Sequence, residues 1–120
     1  MIRLTDSEWK VLEVLWENPN QTLGQILANL KEQTAWSRNT VHTYLTRMTA
    51  KDLVCHDTSS PKKYSANITR ELAANSERKG LMDRFYKGSA SNLVASFVKD
   101  GELTKDEIEE LKKLLDGMEV

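Results

Sequence analysis

A mainly α-helical fold, with one small β-hairpin set between two groups of three helices, is what this sequence predicts. Three observations carry that reading. Capping boxes, in which a threonine stands three residues ahead of Glu or Gln, occur at Thr5–Glu8, Thr22–Gln25 and Thr104–Glu107, each ahead of an apolar run. The apolar residues that follow recur at intervals of three and four, the period of a helix with one buried face. Leu53–Asp57 and Lys62–Ala66 read as short strands on either side of Thr58-Ser59-Ser60-Pro61, which has the composition of a turn.

Taken in order, Thr5 at the N-cap and Glu8 at N3 start the first helix, and Leu4 and Trp9 are spaced as a hydrophobic staple. Trp9, Leu12, Leu15 and Trp16 line one face, with both tryptophans assigned to the core. Asn18-Pro19-Asn20 ends the helix, because proline cannot continue the hydrogen-bond ladder. Thr22 starts a short second helix striped by Leu23, Ile26, Leu27 and Leu30. Gln33–Trp36 leads to a third helix with Ser37 at its N-cap.

In that third helix Val41, Leu45 and Met48 form the apolar stripe. The opposite face carries Arg38, Asn39, His42, Thr43, Thr46 and Arg47: hydrogen-bonding groups and two arginines, and no carboxylate. A helix face built only for solubility usually mixes both signs, whereas a face without acids suits a polyanion with base edges to read. Two short helices, a brief turn and a polar-faced third helix are the order of a helix-turn-helix. The hairpin follows directly, with Lys62 and Lys63 beside its tip, and reads as the wing of a winged helix. The expected architecture is therefore a winged helix-turn-helix over residues 1–68, followed by a three-helix region over residues 69–120.

Within that second region Thr69 caps a long helix running to about Lys87, ahead of Gly88. Its apolar positions are Leu72, Leu81, Met82, Phe85 and Tyr86, its middle is polar, and Gly80 costs about 1 kcal/mol relative to alanine. Ser89 or Ser91 starts a fifth helix bearing Leu93, Val94, Phe97 and Val98. After the loop Lys99–Glu102, a sixth carries Ile108, Leu111, Leu114 and Leu115. Roughly fifty residues in three amphipathic helices are too few to bury a robust core alone. A second copy of the chain would cover them, and Leu81, Phe85, Leu93, Val94, Phe97, Val98, Ile108, Leu111 and Leu115 are assigned to a dimer interface. The alternative is that these helices fold back on the N-terminal lobe.

Bulk composition narrows the function. The 120 residues are 39% hydrophobic and 29% charged, with a formal net charge of −1. Charge is unevenly spread: residues 34–70 hold six cations and two anions, a net +4, and residues 99–120 hold four cations and eight anions, a net −4. One end suits phosphate, and the other is repelled by it. No apolar run approaches the ~18 residues of a membrane span. Met1–Asp6 lacks a signal peptide's apolar core, so the expected location is cytoplasmic without membrane insertion. Cys55 stands alone, in keeping with a reducing compartment.

The only histidines, His42 and His56, have no catalytic or metal-ligand grouping around them, so neither an enzyme, a metal nor a cofactor is expected. Cys55 and His56 are neighbours on a strand and point to opposite faces. The acidic run Asp106–Glu110 reads as a solvated helix face. The expected partner is double-stranded DNA. Arg38, Asn39, Thr40, His42, Thr43 and Thr46 are candidates for base reading, and Arg47, Lys62 and Lys63 for phosphate contact. A winged helix used only for protein–protein contact is the competing class, and a steep fall in duplex affinity with added salt separates the two.

The chain also resembles a known family. Leu4–Trp16, the run Trp36-Ser-Arg-Asn-Thr-Val-His-Thr-Tyr-Leu-Thr-Arg-Met, and the later Phe97-Val with Glu102-Leu-Thr-Lys-Asp-Glu-Ile-Glu-Glu-Leu resemble the BlaI/MecI/CopY penicillinase-repressor family, in order and spacing over nearly the whole chain. The resemblance implies a dimeric repressor with an N-terminal winged helix and C-terminal dimerisation helices. It would act on dyad operators with TACA/TGTA-type half-sites, and on β-lactamase, penicillin-binding-protein or copper-export genes. The copper-responsive branch carries a Cys-x-Cys tail; with Cys55 alone, this chain is similar to the BlaI/MecI branch instead. In that branch a membrane sensor protease triggers cleavage of an Asn–Phe bond in the fifth helix. The aligned bond here is Ser96–Phe97, where the phenylalanine matches and the asparagine does not. A role for Phe97 in the interface accounts for it without a protease.

Overall fold

The computed structural model describes residues 3–118. Met1 and Ile2 of the N-terminal stretch, and Glu119 and Val120 at the acidic end, lie outside the described residues. Helices α1 (Asp6–Glu17), α2 (Leu23–Leu30) and α3 (Arg38–Ala50) come first, with the two-residue strand β1 (Gln21–Thr22) between α1 and α2. Strands β2 (Val54–His56) and β3 (Lys63–Ala66) follow, then α4 (Arg70–Phe85), α5 (Ala90–Lys99) and α6 (Lys105–Asp116). The mainly α-helical winged fold expected from sequence is the observed one. All three capping boxes are formed, with each threonine hydroxyl accepting from the N3 backbone and each N3 side chain from the N-cap backbone.

The chain divides into two compact units, the first ending at Glu77 and the second beginning at Arg78. The division falls inside α4, whereas the sequence pattern puts the boundary ahead of that helix, between residues 68 and 69. The first turns of α4 belong with the N-terminal elements for three reasons. Ala73 is wholly buried in the core cluster, Glu77 accepts from the Leu4 backbone at 3.1 Å, and Arg70 forks onto Glu13 with both bonds at 2.7 Å.

The first unit is built on one apolar core. Val11, Leu12, Val14 and Leu15 of α1 meet Ile26 and Leu30 of α2 and Val41, Leu45 and Met48 of α3. Leu53, Val54, Tyr64 and Ile68 close it from the hairpin side. At about 1.5–3 kcal/mol for each large apolar side chain taken fully out of water, this is where the unit's stability lies.

Two details depart from the sequence reading. Val11 and Val14 are buried along with Leu12 and Leu15, because α1 is packed by α2, α3 and β3 and so needs a wide apolar face. The tryptophans are half-buried at the edge of the core instead of inside it. Each indole N–H needs a polar partner: Trp9 Nε1 donates to Glu13 Oε1 at 2.9 Å and Trp16 Nε1 to the Ile68 carbonyl at 2.8 Å.

The hairpin is part of a three-stranded sheet in the order β1-β3-β2, antiparallel throughout. Strand β1 has no sequence signal, because two residues show no alternation and Thr22 also caps α2. Its register sets Gln21 against Tyr64 and Thr22 against Lys63, which ties the loop end of β3 to the segment between α1 and α2. Gln21 is buried, and its amide donates to the carbonyls of Val14 (2.9 Å) and Asn18 while accepting from Asn29 (2.7 Å). It thereby gives the Asn18 carbonyl a partner at the end of α1 and adds a second bond to the Val14 carbonyl, which also accepts from the Asn18 N–H at 3.2 Å.

The second unit is different in kind. Neither α5 nor α6 buries any residue. Phe85 is 67% exposed, Leu114 68% and Leu115 64%. α4 stops at Phe85, two residues short of the expected Lys87. Lys87 and Gly88 take positive φ of 50° and 75°, and the Gly88 N–H returns to the Met82 carbonyl at 2.9 Å. Ser89, not Ser91, is the N-cap of α5, accepting from the Asn92 N–H.

Candidate nucleic-acid interface

α3 begins where its sequence places it. The Ser37 hydroxyl accepts from the Thr40 N–H at 3.2 Å, and the first turn holds no acid, so the positive end of the helix dipole is left uncompensated. Val41, Leu45 and Met48 are each 0% exposed and hold the helix to the core. At about 100° per residue, the direction away from that stripe is marked by Asn39, Thr43 and Thr46, with Arg47 beside them. All four are exposed, as are Arg38 and His42.

The remaining candidates on α3 sit off that line. Arg38 leans along α2: a Cβ added to Gly24 would stand 3.8 Å from its Nη1. Thr40 is half-buried and engaged in the helix cap, its hydroxyl 3.1 Å from the Ser37 hydroxyl. His42 lies on the flank. Trp36, just ahead of the cap, stacks on Tyr44 with ring centroids 4.9 Å apart.

The threonines on the helix are not free rotors. Thr43 Oγ1 donates to the Asn39 carbonyl at 2.9 Å and Thr46 Oγ1 to the His42 carbonyl at 3.0 Å. Thr49 does the same to Leu45 at 2.7 Å. This back-bonding to the preceding turn is a common choice for threonine inside a helix.

The wing loop is shaped by Asp57. Its Oδ1 accepts from the backbone N–H groups of Ser59 (3.1 Å) and Lys63 (3.0 Å), and its Oδ2 from the Ser59 hydroxyl at 2.9 Å. The Lys63 N–H and the Ser59 hydroxyl hold the carboxyl below the usual carboxylate range. The sequence reading missed Asp57 as a site residue, although an Asp two residues ahead of Ser59 in a turn is a recognisable signal. Lys62 and Lys63 are exposed beside this loop. Asn20 and Ser65 bind each other across the sheet, Ser65 Oγ donating to Asn20 Oδ1 at 3.1 Å and accepting from its N–H at 3.0 Å.

Tertiary packing changes the charge of this surface. Two of the six cations between residues 34 and 70 are tied to carboxylates on α1. Lys51 Nζ lies 3.0 Å from Glu8 Oε2, and Arg70 is forked onto Glu13 with its guanidinium 4.9 Å over the Trp16 ring. Among the described residues Arg38, Arg47, Lys62 and Lys63 form no ion pair, and these four carry the exposed positive charge of α3 and the wing. Burial pushes the Glu8 carboxyl up. Hydrogen bonds from the Thr5 N–H and from Lys51, with the Lys51 charge, outweigh this and leave it lowered.

Cys55 is exposed on β2, its Sγ 3.7 Å from the Ser65 carbonyl. His56 packs edge-on to Tyr64 at 5.6 Å with Nδ1 2.8 Å from the Asp57 carbonyl. Among the described residues no group of three His, Cys, Asp or Glu could hold a metal ion, and no helix is long and apolar enough to cross a membrane.

In the second unit Phe85, Val94, Phe97, Val98, Ile108 and Leu115 are exposed, and Leu81, Leu93 and Leu111 are half-buried. Leu114 and Met118 join them at 68% and 64% exposure, beyond the interface residues assigned from sequence. Ser96–Phe97 lies inside α5, where Ser96 Oγ donates to the Leu93 carbonyl at 2.7 Å and stands 3.3 Å from the Tyr86 hydroxyl.

Comparison with known proteins adds the remaining facts. Residues 4–117 match the sequence profile of the family described as Penicillinase repressor. The chain is 28% identical over 115 residues to the methicillin resistance regulatory protein MecI of Mammaliicoccus sciuri, covering 93% of this chain and 92% of that one. It is 25% identical over 115 residues to the penicillinase repressor of Bacillus licheniformis, covering 95% and 90%. The solution structure of monomeric BlaI of Bacillus licheniformis with the blaP half-operator has a TM-score of 0.52 at 24% identity, covering 58% of this chain and 87% of that one. A cysteine-to-serine mutant of MarR from E. coli has a TM-score of 0.51 at 20% identity, covering 94% and 76%. At these identities the two structures establish a shared fold.

Proposed function

From the chain's place in the penicillinase repressor family, to which it belongs over residues 4–117, we propose that it is a homodimeric, sequence-specific DNA-binding repressor that acts by occupying a dyad operator. The observation that carries this is the outward face of α3. Asn39, Thr43, Thr46 and Arg47 stand exposed together without a carboxylate, and Lys62 and Lys63 of the wing are exposed and, among the described residues, form no ion pair. In a major groove such a face offers an amide that can fork onto adenine and an arginine for guanine or phosphate. Arg38, His42 and the wing lysines would take phosphates on either side and fix the register. The resistance-type genes for which its relatives are named are the class of target expected.

Dimerisation belongs to the second unit in this reading. Its helices carry Phe85, Val94, Phe97, Val98, Ile108, Leu114 and Leu115 in water, a state that a second copy relieves. A two-fold pair sets two α3 helices on one side of a duplex, matching a palindromic operator. Phe97 serves the interface here. Release through a membrane sensor protease cutting Ser96–Phe97, as the resemblance implies, would need α5 to open first, because that bond lies within the helix.

The test is a titration against duplexes selected from a random library, repeated across ionic strengths. A repressor should enrich a palindrome. Its log affinity should fall linearly with log salt at about 0.9 per phosphate neutralised. Binding that is weak, unselective and indifferent to salt would reject the reading in favour of a protein–protein module.

A further inference from the structure

The outward face of α3 carries two threonines whose hydroxyl protons are already committed. Thr43 donates to the Asn39 carbonyl and Thr46 to the His42 carbonyl, at 2.9 and 3.0 Å, although both side chains are exposed and water is available. A β-branched residue in a helix has few χ1 wells, and this bond selects one of them. What such a threonine offers outward is its γ-methyl and the spare lone pairs of an oxygen that has no proton left to give. With Asn39 the two lie at i, i+4 and i+7, one stripe directed away from the buried Val41, Leu45 and Met48.

Resting on the DNA-binding reading above, we propose that Thr43 and Thr46 are specificity-determining residues that read the C5-methyl of thymine through their own methyl groups. Donation to the acceptors of guanine or to thymine O4 would require breaking an intrahelical bond, so the hydroxyls do not read those bases. Among groups at the major-groove edge, the thymine methyl is the apolar one, and it has no counterpart on the other three bases. The neighbouring Asn39, which has both a donor and an acceptor, complements this by addressing adenine. The helix therefore favours A·T pairs in both orientations along its central stripe, Asn39 from the purine side and the threonines from the pyrimidine side.

The experiment uses the full chain and a palindromic duplex selected from a random library. Each thymine of one half-site is replaced in turn by uracil, which removes one methyl and leaves pairing unchanged. Wild type should lose about fourfold in affinity at one or two positions, the worth of one buried methyl. Thr43→Val keeps the methyl without the hydroxyl and should retain that thymine preference. Thr43→Ser keeps the hydroxyl without the methyl and should lose it; the same pair at Thr46 maps the second position. Both sites are exposed, so the variants should fold as wild type does.

The inference is overturned, with DNA binding intact, if no uracil substitution matters or if the serine variant keeps the preference that the valine variant loses. Failure to enrich any palindrome would remove the DNA-binding reading itself, and this inference with it.

Discussion

The two compact units bury their apolar residues to very different extents. In the first, Val11, Leu12, Ile26, Leu30, Val41, Leu45 and Met48 are all 0% exposed. In the second, α5 and α6 fully bury nothing, and Val94, Phe97, Val98, Ile108, Leu114 and Leu115 are exposed. The helices of both units are locally well specified, since Thr104 and Glu107 cap α6 as fully as Thr5 and Glu8 cap α1. Good caps and a good stripe make a helix, but they do not make a core. A stripe needs a second surface, which the first unit supplies from its own hairpin and helices and which the second lacks among the described residues.

The contrast is open to test, beginning with the strongest effect. Phe97→Asp puts a charge on the exposed stripe of α5 and should yield a monomer by sedimentation, with operator affinity reduced about 10²–10⁴-fold as the second half-site contact ceases to be intramolecular. A dimer at micromolar concentration would show that α5 is not the interface. Leu45→Ala should destabilise the first unit by about 3 kcal/mol, because a fully buried side chain leaves a cavity. Tryptophan fluorescence in urea isolates that loss, since Trp9, Trp16 and Trp36 all lie in the first unit. Leu114→Ala in α6, a deletion of the same size at an exposed site, should leave the same transition unmoved.

Surface changes on the first unit should be smaller and should leave its melting untouched. Asn39→Ala should cost about 1–3 kcal/mol on the selected operator and little on a scrambled duplex; equal losses on both would deny it a base-reading role. Lys63→Ala should weaken every duplex alike and lower the salt slope by about 1.

The mildest effect expected is on pH dependence. Glu8 has a lowered pKa in the fold. Its contribution is therefore fully present above the unfolded carboxylate value, about 4.3, and is lost as pH falls through the folded value. Urea midpoints followed by tryptophan fluorescence between neutral and acid pH should drop less steeply in Glu8→Gln than in wild type. Identical slopes would mean that the Thr5 and Lys51 bonds do not hold Glu8 below its unfolded value.

The division between what was legible and what was not follows the range of the interactions. Helix starts were readable to the residue at Thr5, Thr22, Ser37 and Thr104, because a cap is a contact across three residues of chain. The buried stripe Val41, Leu45 and Met48, and with it the outward face of α3, followed from periodicity alone. The bond from the Ser59 N–H to Asp57 is a local turn signal, but the bond from the Lys63 N–H emerges only from the folded hairpin.

Tertiary structure alone decided the rest. Pairing with Tyr64 and Lys63 made Gln21-Thr22 a strand, across more than forty residues of sequence. Lys51 and Arg70 counted as positive charge in a linear sum, and ion pairs with Glu8 and Glu13 offset that charge although both side chains stay exposed. The first turns of α4 joined the N-terminal unit for the same reason, through Arg70, Ala73 and Glu77. Short-range hydrogen bonds and helical period are written in neighbouring residues. Charge neutralisation, sheet pairing and the limits of a core depend on which distant residues the fold sets side by side.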